Sequence, residues 1–127
     1  MEQKILIVDD EAHIRMLIEQ TLEELEDDGV KFLIAENGEE ALNLITREKP
    51  QLVFLDVMMP KMNGMEVCRR VKKELALPDI YIILLTAKGQ EVDRLKGQEV
   101  GADIYMTKPF DPEAILNKAR EVLNIND

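Results

Sequence analysis

Ile5-Leu6-Ile7-Val8-Asp9-Asp10 decides the fold. Four consecutive apolar residues without polar alternation predict a strand buried on both faces, as in a parallel sheet covered by helices. Two carboxylates end the run. The next apolar residues, Ile14, Leu17, Ile18, Leu22 and Leu25, recur at helical spacing and stop before Gly29. One buried strand followed by one amphipathic helix is the unit, and the rest of the chain repeats it.

Phe32 to Ala35 predicts the second strand, and Gly38 to Arg47 a helix with Ala41, Leu42 and Ile45 on one side, stopped by Pro50. Leu52 to Leu55 predicts the third strand. Gly64 to Leu75 follows as a helix with Val67, Val71 and Leu75 inward, stopped before Pro78. Ile80 to Leu85 is the most apolar strand; Val92, Leu95 and Val100 mark a shorter helix closed by Gly101. Ile104 to Met106 is the fifth strand. Asp111 is the expected cap of the last helix, with Pro112 in its first turn, Glu113 at its positive end, and a stripe of Ile115, Leu116, Ala119, Val122 and Leu123. The expected fold is α/β, a (βα)5 doubly wound parallel five-stranded sheet with helices on both faces, and it takes up residues 1–127 as one domain.

Composition narrows the function. Of 127 residues, 46% are apolar and 33% charged, so a packed core is expected rather than disorder. Sixteen basic residues against 26 acidic ones give a net charge of −10, which argues against broad contact with nucleic acid phosphates or an anionic membrane. A metal ion or a positive partner patch suits that charge better. The single cysteine, Cys68, makes no internal disulfide and is expected to pack on a helix. No stretch approaches a signal sequence or 18 apolar residues, so a cytoplasmic soluble domain is expected.

The residues after the strands carry the chemistry. Asp9 and Asp10 follow the first, Asp56 the third, Thr86 the fourth, and Thr107 and Lys108 the fifth. In a parallel sheet these ends share one edge, where ligands bind in such folds. Two carboxylates about 5 Å apart repel by roughly 3 kcal/mol at an effective dielectric near 20, so the cluster calls for cations or a raised pKa. Lys108 supplies one charge. An all-oxygen ligand set selects Mg²⁺, Mn²⁺ or Ca²⁺ over zinc. Metal, lysine, hydroxyl and a free carboxylate are the parts of phosphoryl transfer to that carboxylate.

The segments ILIVDDE (5–11), LVFLDVMMPKMNGMEVCR (52–69), LLTAKG (84–89) and GADIYMTKPFDPEAI (101–115) make the chain resemble a receiver domain of a two-component response regulator. The resemblance spans nearly the whole chain and implies a flavodoxin-like strand order, 2-1-3-4-5. It also implies roles. Asp56 matches the phosphoacceptor, Asp9 and Asp10 the acidic pair that holds Mg²⁺, and Met58 the position whose backbone carbonyl is a metal ligand. Lys108 matches the lysine that pairs with the phosphoryl group, Thr86 the switch hydroxyl, Tyr105 the switch aromatic, and Pro109 the proline preceded by a cis bond. The implied partners are a sensor histidine kinase or histidine phosphotransfer protein, and a downstream effector protein or fused output domain. The downstream partner is controlled through a face formed by the fourth helix, fifth strand and fifth helix.

Further expectations follow from particular residues. Met58 cannot orient water by hydrogen bonding, so the phosphoryl group is expected to be long-lived; Lys88 is the other variable position near it. His13 is expected as an exposed helical histidine, the acidic stretch Glu23 to Asp28 as a solvated helix end, and Met58, Met59, Met62 and Met65 as gap-fillers under a loop. A phosphorylation-dependent homodimer is possible, but Ile104 stands where members that dimerise through this face carry a second acid. An aspartate-nucleophile phosphatase is an alternative that would want an aspartate at position 58. A flavin carrier would want an anion cradle where Asp9 and Asp10 stand. A pseudo-receiver interaction module has no need of the intact acidic set.

Overall fold

A computed structural model describes residues 2–87, 99–108 and 110–125. Five strands, β1 (Lys4–Val8), β2 (Lys31–Ala35), β3 (Leu52–Asp56), β4 (Tyr81–Ala87) and β5 (Ile104–Lys108), form one sheet in the order β2-β1-β3-β4-β5. Every neighbouring pair is parallel. The strand pattern expected from the apolar runs and the order implied by the resemblance are both observed.

Alternation along the strands divides the interior in two. Leu6, Val8, Val53, Leu55, Ile82 and Leu84 face one way and meet Ala41 and Ile45 of α2 (Gly38–Glu48) and Val67 and Cys68 of α3 (Gly64–Arg69). Ile5, Ile7, Leu52, Phe54, Ile83 and Leu85 face the other way. There they meet Ile18 of α1 (Ala12–Thr21) and Ile115, Ala119 and Leu123 of the C-terminal helix (Pro112–Leu123). The inner strands are apolar on both faces because both faces are covered. Short polar side chains start the helices: Asn37 Oδ1 accepts from Glu40 N (2.9 Å), Asn63 Oδ1 from Glu66 N (3.0 Å) and Asp111 Oδ1 from Glu113 N (3.0 Å).

Two helices depart from the periodic reading. α1 stops at Thr21, whose hydroxyl bonds back to Leu17 O (2.7 Å). A 3₁₀ turn over Glu23–Asp28 follows and closes at Gly29, where φ is 85°. Leu22 and Leu25 are still buried, whereas Leu17, expected on the inner stripe, is 41% exposed; Ile18 takes the inward position. Beyond Arg69 the third helix widens into an i→i+5 segment over Arg70–Glu74, seen in the bond from Leu75 N to Arg70 O (2.8 Å). Leu75, expected inward, is the cap just beyond this segment and is 39% exposed, while Val71 stays buried. The expected fourth helix at Val92 and Leu95, the variable Lys88 and the cis bond at Pro109 lie outside the described residues. Among the described residues no helix is long and apolar enough to cross a membrane.

Candidate functional site

Register brings the strand ends to one edge. Val8 pairs with Leu55, Asp56 with Leu85, Thr86 with Thr107, and Ala87 with Lys108. Each chemistry-bearing residue is thus at the end of its strand or just beyond it. Asp9 is fully buried and Asp56 is 5% exposed, while Asp10 opens to solvent. One carboxylate oxygen from each of the three lies within 4.8 Å of the others. Lys108 Nζ reaches across from β5 and donates to Asp9 Oδ2 (2.8 Å) and Asp56 Oδ1 (3.2 Å).

Local packing holds these groups. Asp9 Oδ1 accepts from Glu11 N (2.9 Å), which turns the chain into α1. Arg15 Nη1 donates to the Asp9 carbonyl (2.7 Å), and its Nη2 reaches Glu36 (3.3 Å). Gly64 lies so close to β3 that a Cβ there would sit 2.2 Å from the Asp56 carbonyl oxygen. Its amide donates to Val57 O (2.9 Å), folding the loop after Asp56 back onto the strand end. Gly38 makes a similar approach to that loop: a Cβ on it would fall 1.9 Å from Met62 O.

Burial and the field of Asp9 push the Asp56 carboxyl up to about 7, although Lys108 and a hydrogen bond from the Met58 backbone pull the other way. Burial works against the Lys108 ammonium, but the hydrogen bond to Asp9 and the charges of Asp56 and Asp9 outweigh it, and its pKa is raised. One ammonium therefore leaves the three carboxylates under-compensated. An oxygen-binding divalent cation fits the cluster: the donors are all carboxylate oxygens, they converge, and one side is open to water through Asp10.

The other expected site residues fall as follows. Thr86 is buried near the end of β4, beside Asp56's strand and opposite Thr107. Tyr105 is half-buried against the core face that holds α2 and α3. Met58 is 62% exposed, unlike Met59, Met62 and Met65, which pack against the core; gap-filling describes those three and not Met58. His13 is exposed beside Glu11, and Cys68 is buried, its thiol pushed up to about 12 chiefly by burial. Arg15, Gly38 and Gly64 are site residues that the sequence reading misses. Arg15 carries no local signal that separates it from a solvated arginine, whereas Asn-Gly at 63–64 after a strand marks a tight approach that could have been read.

Comparison with known proteins agrees with this geometry. The family model of the response regulator receiver domain matches residues 5–120. A probable transcriptional regulator, ycf27, of Porphyra purpurea is 47% identical over 126 residues, covering 99% of this chain and 49% of that protein. The alkaline phosphatase synthesis transcriptional regulatory protein PhoP of Bacillus subtilis is 44% identical, covering 97% of this chain and 49% of its own length. This chain thus spans about half the length of these curated relatives. Among solved structures, the BeF3-activated receiver domain of DrrB, from Thermotoga maritima, superposes with a TM-score of 0.84 at 37% identity over 98% of this chain and 99% of that one. With its strand order, its acidic edge and this match along residues 5–120, the chain belongs to the response regulator receiver domain family.

Proposed function

We propose that this chain is a phosphoacceptor signalling domain in which Asp56 takes a phosphoryl group from a phosphohistidine on a sensor histidine kinase or histidine phosphotransfer protein. One observation carries the reading: Lys108 Nζ bridges Asp9 and Asp56, at 2.8 and 3.2 Å, inside a cluster of three converging carboxylates. An Asp56 carboxylate oxygen forms the new P–O bond while the P–N bond to the donor imidazole breaks. The imidazole nitrogen keeps the electron pair and is protonated. We assign Asp9, Asp10, Asp56 and the Met58 backbone carbonyl to hold Mg²⁺, or Mn²⁺ in its place. A bound divalent ion neutralises charge on the carboxylates and on the incoming phosphoryl oxygens. Lys108 contributes a fixed ammonium to the same charge. The Thr86 hydroxyl then donates to a phosphoryl oxygen.

The product carries roughly −2 where a single negative charge stood. Thr86 and Tyr105 read that change and bias a two-state equilibrium of the face made by the fourth helix, β5 and the C-terminal helix. That face controls a downstream effector protein or a fused output domain, in the cytoplasm, with a phosphorylation-dependent homodimer as one form of output. The chain assists its own phosphorylation and slow dephosphorylation and turns over no separate substrate. A module that is never phosphorylated has no use for three converging carboxylates bridged by a lysine. Incubation with acetyl phosphate and Mg²⁺ followed by intact-mass measurement tests the assignment. One added phosphoryl group, absent in Asp56→Ala, is expected. No addition, or an addition that persists in the variant, overturns it.

A further inference from the structure

Among the described residues β5 is an edge strand that pairs with β4 alone, and it is only half-buried along its whole length. Apolar packing therefore holds it weakly, and two lysine–aspartate contacts, one largely buried and one with its aspartate open to solvent, hold its ends. At the far end Lys108 crosses to Asp9 and Asp56. At the near end the arrangement is inverted: the aspartate, Asp103, precedes the strand, and the lysine, Lys72, comes from the widened helical segment Arg70–Glu74.

Lys72 is more fully engaged than any ordinary surface lysine. Its side chain is 9% exposed, and Nζ donates to Pro78 O (2.9 Å), Ile80 O (2.6 Å) and Asp103 Oδ2 (2.9 Å). An ammonium has three N–H donors, and three acceptors from two different segments use them. Asp103 Oδ2 also accepts from Ile82 N (2.8 Å), and Asp103 N donates to Ile82 O (3.0 Å). The turn into β5 lies on the Lys72 stem: a Cβ on Gly101, whose φ is 90°, would sit 3.3 Å from Lys72 Cβ and Cγ. This knot shares no group with the acidic cluster, from which five strand residues at about 3.3 Å each separate it.

We propose that Lys72 is a positioning residue: with Asp103 it is the fixed pivot of β5, so that a charge change at Asp56 turns the Tyr105–Lys108 end of the strand while the Asp103 end stays in place. The proposal rests on the phosphoacceptor reading above. It explains why a lysine is buried at the sheet end opposite the chemistry, and why the third helix widens where it does. Lys72 lies inside the widened segment, and its ammonium reaches Asp103 at the start of β5.

Residue-resolved amide exchange on the full chain tests it, with and without Mg²⁺ plus beryllofluoride, the agent used to activate the DrrB receiver. In the wild type, beryllofluoride should change exchange across Tyr105 to Lys108 by at least fivefold and that of the Asp103 amide by less than twofold. In Lys72→Met, and in the milder Asp103→Asn, which keeps an acceptor for Ile82 N, the amide at position 103 should become at least fivefold responsive. A purely structural role would raise exchange at 103 in both conditions and leave its beryllofluoride ratio unchanged; that result overturns the pivot. So does a wild-type Asp103 amide that already responds as strongly as Lys108. A wild-type β5 that responds nowhere fails the phosphoacceptor reading itself, and the pivot with it, before any variant is made.

Discussion

Replacing Asp56 by asparagine should stabilise the divalent-free protein, and the gain should grow with pH. The carboxyl ordinarily ionises near 3.8 and in the folded chain near 7, because burial and the Asp9 charge disfavour its anion. Between those values the folded protein keeps a proton that the unfolded chain has lost. The stability this proton contributes is fully present below 3.8, falls as pH rises through the window, and is lost above 7. At about 1.4 kcal/mol per decade, the span is of order 4 kcal/mol. Asparagine has no proton to lose and no such slope. The pull of Lys108 on the Asp56 anion is already contained in the folded value near 7 and adds no separate slope. Urea denaturation followed by far-ultraviolet circular dichroism, in chelator, at steps from about pH 4 to about pH 8, measures the difference between variant and wild type. It should rise by about 4 kcal/mol across that range. Saturating Mg²⁺ at the alkaline end should shrink it by stabilising the wild type, by about 2.7 kcal/mol at roughly a hundred times the dissociation constant. A difference that is flat in pH would refute the reasoning. One that grows toward acid would mean that Lys108 outweighs burial and holds the carboxyl down.

Two further outcomes follow from single residues. Met58 is exposed beside the proposed acceptor and offers water no hydrogen bond, so Met58→Asn should shorten the phosphoryl half-life, read by intact mass after removal of the donor; an unchanged decay counts against any role for Met58 in excluding ordered water. Ala76 ends the widened third helix at φ 50°, where Leu77 N bonds Val71 O (3.0 Å), a left-handed position that costs an L side chain about 1 kcal/mol; Ala76→Gly should raise stability by about 0.5 kcal/mol in urea denaturation, and a loss would show that the alanine is not strained there.

The sheet can be read from sequence because burial on both faces writes itself as an unbroken apolar run. Ile5–Val8 and Leu52–Leu55 admit no other placement once helices follow each of them. The helix faces are less legible. Helical periodicity assumes a constant turn, and nothing in Arg69-Arg70-Val71-Lys72-Lys73, all acceptable helix residues, announces that the turn widens there. Leu75 caps that segment, where the helix ends, and is exposed. Leu17 and Ile18 both fit a core-facing stripe, and the pattern does not say that Ile18 is buried while Leu17 stays exposed.

The site divides along the same physical line. Asp9, Asp10, Asp56, Thr86 and Lys108 are legible because strand ends in a parallel sheet share an edge, so topology alone turns distance in sequence into proximity. Residues that converge without that rule leave no trace. Lys72, Pro78, Ile80 and Asp103 meet at the opposite end of the sheet through one side chain crossing from a helix, and Arg15 reaches the Asp9 carbonyl from the first turn of α1. In each case the partner is a backbone oxygen or a carboxylate, and nothing in the sequence ties it to the distant side chain that reaches it. The visible half of the site holds the charge that the proposed chemistry uses, while the hidden half is the frame against which, on the pivot proposal, a change in that charge becomes motion. If β5 is pinned at Asp103, the strand can respond to a negative charge at Asp56 only by moving the residues beyond that pin, and Tyr105 and Lys108 are both among them.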